Sequence, residues 1–194
     1  MNRNAEEVLK KLKRGNHFFK LGQPRNPNND NIRRKEVLDN GQNPFVTILT
    51  CSDSRVPPEL IFDRGIGDLF VIRNAGNILD DVTIGTIEYA VEHLKTPLVV
   101  ILGHQDCGAV KATIQGGDLP GHLSAITKKI MPAVEACRGE KGDLILHSIR
   151  ANSYRVAHEL RERSEILKNA ILDGRTAIIA AYYSLETGEV EFLD

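Results

Sequence analysis

The chain has 194 residues, 41% hydrophobic and 26% charged, with 25 Lys plus Arg against 26 Asp plus Glu for a formal net charge of -1. That length suits one domain with a sizeable core, and the balanced charge argues against a nucleic-acid footprint, which is usually strongly basic. No apolar stretch approaches a membrane span, residues 1–7 lack the apolar core of a signal peptide, and three cysteines are an odd count for a disulfide framework, so the cytoplasm is the expected compartment.

Asn4 with Glu7 three residues on reads as a helix start. Val8, Leu9, Leu12 and Phe19 give that helix an apolar stripe, and Gly22 ends it before a Pro- and Asn-rich loop over residues 23–31. The stripe leaves two arrangements open: on its own domain or on a second subunit. Residues 45–50 are a short, β-branched apolar run that reads as a buried strand with Cys51 at its end. Pro57 and Pro58 then open a short helix.

A strand over residues 68–73 runs into Asn74-Ala75-Gly76-Asn77, small and polar residues that let backbone come close to a site. Gly65-Ile66-Gly67 precedes that strand instead of opening a helix, so it is not a dinucleotide fingerprint. Asp80 and Asp81 cap a helix reaching about Leu94, with Val82, Ile87, Ala90, Val91 and Leu94 at helical spacing. Pro97 stops it, and residues 98–102 form the strand that ends at Gly103-His104. Residues 108–112 start a helix whose backbone N–H groups point back and favour a thiolate at Cys107.

Helices over residues 123–138 and 143–163 cover the sheet, and Ser164 caps a short helix ending near Gly174. Residues 177–183 and 189–193 close the chain as a hairpin turning at Glu186-Thr187-Gly188. The alternation predicts an α/β domain with a central, mostly parallel sheet and at least one antiparallel edge strand.

Cys51 and the His104/Cys107 pair each follow a strand of that sheet and so converge at its carboxyl edge, where open α/β sheets build their sites. A single Cys is commonly a plain buried hydrophobe; His-x-x-Cys after one strand, with a second strand ending in Cys, points to metal. Two thiols and an imidazole suit zinc, and three ligands leave a fourth position open for chemistry. Cys137, in a predicted helix, is a structural or exposed free thiol without an assigned role. Asp53 and Arg55 face the same side if their segment is extended, close enough for a carboxylate–guanidinium pair. Two thiolates cancel the charge of the metal, so without compensation from nearby groups activity should rise toward alkaline pH.

Cys51-Ser52-Asp53-Ser54-Arg55 followed by Gly103-His104-Gln105-Asp106-Cys107-Gly108 resembles the β-class carbonic anhydrases. The likeness includes residues 70–77 and Glu88-Tyr89-Ala90-Val91 in the same order and runs from about Gln42 to Leu193. It implies reversible hydration of carbon dioxide to bicarbonate and a proton, with one zinc per subunit held by Cys51, His104 and Cys107. It also implies a zinc-bound hydroxide oriented by Asp53, which Arg55 keeps ionised. The implied fold is one domain over residues 1–194, four parallel strands extended by an antiparallel one. The implied assembly is a homodimer or a dimer of dimers, with residues 1–31 packed on the partner subunit.

By the same resemblance, Gln42 matches a glutamine that hydrogen-bonds bicarbonate from across the dimer interface, and Gly108 a backbone N–H donor beside the metal. Phe70, Ala75 and Tyr89 match positions that make the pocket apolar and narrow, although ordinary core packing explains such residues equally well. An allosteric subclass has a Trp three residues before the first zinc Cys. Here Ile48 stands there, Arg73 of that site is kept, and the chain has no tryptophan, which implies the non-allosteric, open type. Relatives of the same fold hydrolyse carbonyl sulfide or carbon disulfide, but Ser52, Gln42 and Tyr89 favour carbon dioxide. The remaining alternative, a non-catalytic zinc-stabilised binding module, is disfavoured by Asp53 and Arg55. His17, His93, His122, His147 and His158 are scattered, and nothing selects one as a proton shuttle.

Overall fold

The computed structural model describes residues 3–117 and 119–193. In chain order its elements are α1 (Arg3–Lys20), α2 (Asn31–Asn40), β1 (Val46–Cys51), α3 (Pro58–Ile61), β2 (Leu69–Asn74), α4 (Asp81–Glu92), β3 (Leu98–His104), α5 (Gly108–Gln115), α6 (Leu123–Cys137), α7 (Leu144–Arg163), α8 (Glu165–Leu172), β4 (Ala177–Tyr183) and β5 (Val190–Leu193). The strands form one sheet in the order β2-β1-β3-β4-β5. Neighbours among β1 to β4 run parallel, and β5 is the antiparallel edge strand.

Every residue of β1 and β3 is buried, as unbroken apolar runs require when both faces of a parallel sheet are covered. Side chains alternate across the sheet. Leu49, Val99 and Ile101 face the layer of α4, α7 and α8, where they pack with Ile87, Val156 and Leu160. Ile48, Val100 and Leu102 face α1 and α3, packing with Leu12, Ile61 and Phe62. The chain leaves β1 toward β2 on one side and leaves β3 toward β4 on the other. That reversal opens a crevice at the carboxyl ends of β1 and β3.

Helix α1 lies on its own sheet, burying Ala5, Val8 and Leu12. Two residues fix it there. A Cβ on Gly15 would stand 1.8 Å from the Phe62 carbonyl oxygen, so glycine alone permits the approach. Asn16, one residue later, donates to the carbonyls of Ile61 (3.2 Å) and Gly188 (2.8 Å) and accepts from the Val190 N–H (2.8 Å). Within the chain the apolar stripe packs on its own sheet, which leaves the outer face of the helix for a second subunit.

Element boundaries shift slightly from the expected ones. Cys51 lies within β1, paired in register with Asn74, and β2 runs one residue further than predicted. Helix α4 stops at Glu92 because Lys95 takes a left-handed φ of 57° just beyond it. Helix α2 was not expected at all. Asp30 caps it by accepting from the Arg33 N–H at 2.8 Å, but none of its residues is buried, so it carries no apolar stripe to read. Cys137 is buried, and burial pushes its thiol pKa up.

Asn16→Ala would remove the side-chain partner of three backbone groups, two of them in buried contacts. It should destabilise the protein by about 2 to 4 kcal/mol in urea denaturation while leaving metal content unchanged.

Candidate metal centre

Three elements deliver three donor atoms to the crevice. Cys51 ends β1, His104 ends β3, and Cys107 is the residue before α5. Their sulfur and nitrogen atoms all lie within 4.8 Å of one another, and all three residues are buried. The turn that brings Cys107 back toward His104 places Asp106 at a φ of 64°, a left-handed conformation that Asp tolerates better than most residues.

Hydrogen bonding selects the imidazole tautomer. His104 Nδ1 is 2.8 Å from the Gln105 carbonyl oxygen, so Nδ1 carries the proton and Nε2 presents its lone pair to the two thiols. Nε2 is fully buried and has no partner among the described residues. An orphaned buried nitrogen facing two sulfurs fits a zinc ion, with a fourth position left over.

The thiols are already polarised for it. Cys51 is pushed below the ordinary thiol range, chiefly by the hydrogen bond from Cys107, with the Gly76 N–H adding to it against the opposing effect of burial. Cys107 is pushed up by its bond to Cys51 and by burial. A divalent cation held by both sulfurs would displace their protons.

Asp53 and Arg55 form the expected pair. Arg55 Nε donates to Asp53 Oδ1 at 3.0 Å and Nη2 to Oδ2 at 2.8 Å, a bidentate fork, and the Arg55 backbone N–H donates to Oδ1 at 2.9 Å. Arg55 holds the Asp53 carboxyl well below the usual carboxylate range. Asp53 Oδ2 lies 3.9 Å from His104 Nε2, at the mouth of the centre.

Arg73, Asp106 and Lys111 are supporting residues that sequence reasoning did not find in these places. Arg73 donates from Nε to the Cys51 carbonyl (3.1 Å) and from Nη2 to the Asp53 carbonyl (2.7 Å), clamping the loop that carries ligand and carboxylate. Asp106 receives Arg55 Nη1 at 3.4 Å and pairs with Lys111, tying the pair to the turn between the other two ligands. Only the five-residue spacing of Asp106 and Lys111 across a helix start hinted at that link.

A family model described as "Carbonic anhydrase" matches residues 46–190. A solved structure from work on two tetrameric β-carbonic anhydrases of the ascomycete Sordaria macrospora superposes with a TM-score of 0.76 at 25% identity, over 84% of this chain and 87% of that one. The chain belongs to the β-class carbonic anhydrases. A carbonic anhydrase of Mycolicibacterium smegmatis is 38% identical to it over 98% of this chain and 94% of that protein. Carbonic anhydrase 2 of Mycobacterium tuberculosis is 36% identical over 100% of this chain and 95% of its own.

The positions that the family resemblance assigns to the pocket fall into three groups. Ala75 and Gly108 line an apolar, half-open cavity of about 250 Å³ beside the metal centre, together with Ala112, Leu123 and Ile126. Phe70 and Tyr89 instead pack on each other at the β2 side, ring centroids 6.1 Å apart, with Tyr89 still 46% exposed. Gln42 is exposed on the segment leading into β1. The segment carrying it enters β1 at the end opposite Cys51, and the strand itself spans roughly 17 Å over its six residues.

A chelator should lower the thermal midpoint of the wild-type protein and leave that of Cys51→Ala unchanged, because only the intact donor set gains stability from bound metal. Elemental analysis should find the metal lost in Cys51→Ala and retained in Asp53→Ala; equal loss in both would make Asp53 a ligand.

Proposed function

We propose that the chain catalyses the reversible hydration of carbon dioxide to bicarbonate and a proton with zinc held by Cys51, His104 and Cys107. The observation that carries this reading is the unpartnered Nε2 of His104, buried within 4.8 Å of two thiol sulfurs and 3.9 Å from Asp53 Oδ2. Zinc bound there supplies the Lewis acidity that makes water nucleophilic near neutral pH.

The protein directs the reaction through Asp53. A carboxylate that stays ionised is acceptor-only, so Asp53 takes the hydrogen bond of the reacting water and leaves the oxygen lone pair turned toward the carbon of carbon dioxide. Arg55 keeps Asp53 in that state and in that orientation through its bidentate fork. Its guanidinium thereby grips both carboxylate oxygens, which disfavours Asp53 swinging onto the metal. The apolar cavity beside Ala75 and Gly108 suits a small uncharged substrate, and the Gly108 N–H, at the start of α5, suits the charge that develops on bicarbonate.

The non-allosteric type rests on two residues. Ile48 is completely buried in the face of β1 that packs on α1, and Arg73 is committed to the carbonyls of Cys51 and Asp53. Neither is free to build a separate bicarbonate site.

The working unit is a homo-oligomer, a dimer or a dimer of dimers. Ile32 and Leu38 on α2 are each 80% exposed, which marks that helix as a surface awaiting cover. Gln42 follows α2 directly and is carried to the centre of the partner. Gln42→Leu should lower kcat/KM for hydration with zinc content and oligomeric state unchanged; an unaltered kcat/KM would remove Gln42 from the site.

Stopped-flow hydration across about pH 6.5 to 9 on protein of known zinc content is the direct test. Activity should track zinc and rise with pH. Because the Asp53 pKa is shifted down, the carboxylate is ionised above its ordinary value of about 4 and is lost only as pH falls below it, so it contributes no acidic limb in this range. Asp53→Ala should keep zinc and lose roughly 100-fold or more in kcat. Zinc-loaded protein without hydration would overturn the proposed reaction.

A further inference from the structure

We propose that Asn152 is a positioning residue for the metal centre, acting through Gly76 on the sulfur of Cys51. The inference rests on the zinc-centre reading above. Asn152 Nδ2 donates to the Gly76 carbonyl at 3.0 Å, across 76 residues of sequence and in the buried interior. Gly76 in turn donates its N–H to Cys51 Sγ at 3.3 Å. A side chain on α7 thus sets the orientation of the backbone donor that faces a ligand sulfur.

Gly76 needs an external anchor because it has none of its own. It sits at a φ of 77°, and a Cβ there would come within 2.6 Å of Ile130 Cδ1 and 3.1 Å of Ala109 Cβ. Only glycine fits, and glycine is the residue least able to hold one conformation unaided. The turn is pinned at its ends by Asn74, which accepts from the Ile78 N–H (2.9 Å) and donates to the Ile78 carbonyl (3.0 Å). Asn152 pins its middle.

Asn152 is well placed for the task. It is 1% exposed, and α7 is brought hard against β3 by Gly103, where a Cβ would lie 2.4 Å from Ser153 Oγ and 3.1 Å from Ile149 Cγ2. Its Oδ1 finds no partner among the described residues. Burying half an amide unpaired costs stability, so core packing alone does not account for Asn here; the link through Nδ2 does.

The chemical consequence concerns charge. An N–H donor withdraws electron density from a thiolate and leaves its metal more electrophilic. With two thiolates on one cation, such donors offset the ligand charge. If Gly76 drifts, Cys51 becomes the stronger donor and the centre loses preorganisation.

Cobalt substitution reads this directly. In the Co(II)-loaded protein, Asn152→Leu, close to Asn in shape but without the donor, should move the sulfur-to-cobalt charge-transfer band to lower energy. Chelator competition should find metal affinity reduced about 10-fold. Ser148→Ala, a change at an equally buried polar residue one turn earlier on the same helix, should move neither. Should Asn152→Leu fail to fold, Asn152→Ala carries the same test. A band at the wild-type energy in a folded Asn152 variant, or the same shift in Ser148→Ala, overturns the proposal. The band requires no turnover, so its shift in a protein without hydration activity would support the Asn152 link while sinking the proposed reaction. Absence of any sulfur-to-cobalt band in the wild type would overturn both.

Discussion

Everything in this fold answers to one demand, that two sulfurs and one imidazole nitrogen meet within 4.8 Å in a buried crevice. Three donors so close repel one another's lone pairs unless a cation or a shared proton lies between them, so the scaffold must hold them in place in advance. Strands β1 and β3 are suited to this because they are the central, fully covered pair of the sheet. Their register is set by side chains that alternate between two separate apolar layers, and a slip of one residue would turn Cys51 away from the crevice. The packing of α1 on one face and of α4, α7 and α8 on the other therefore fixes the metal site as well as the fold.

The second demand is electrostatic. Two thiolates cancel a divalent charge, and the protein surrounds them with donors that carry partial positive charge: the Gly76 N–H on Cys51 and the Val110 and Ala109 N–H groups at the start of α5 on Cys107. Full positive charges stand one layer further out. Arg73 grips the backbone of the Cys51 loop, while Arg55 spans from Asp53 to Asp106. The arrangement separates the two tasks. Amides tune the ligands at contact distance, and guanidiniums orient the carboxylate without sitting on the metal, where they would repel it.

The ligands were legible in the sequence because each follows an apolar run whose burial is unambiguous, and because His-x-x-Cys is a spacing that a tight turn can close. The Asp53 and Arg55 pair was legible for the same local reason, two residues apart on one segment. What the sequence hid is what depends on long-range approach. Arg73 carries no mark of the carbonyls it clamps, Asn152 lies 76 residues from Gly76, and α2 has a capping residue but no apolar stripe. The placement of α1 was hidden too. It turns on Gly15, whose missing side chain admits the Phe62 carbonyl, and nothing near Gly15 in the sequence announces that neighbour.

On the proposed reading, the same geometry leaves one chain with only part of a substrate site. The residues that hold metal come from the carboxyl ends of buried strands, where the fold is most rigid. Gln42 enters β1 from its amino end, so the length of the strand separates it from its own centre. Yet it follows a helix whose Ile32 and Leu38 face outward, and the strand beside β1, β2, is an edge of the sheet. A second copy that covers α2 and that edge would bring a glutamine from outside to a centre built from inside. In such an arrangement the metal site folds with the monomer, and the substrate site exists only in the assembly.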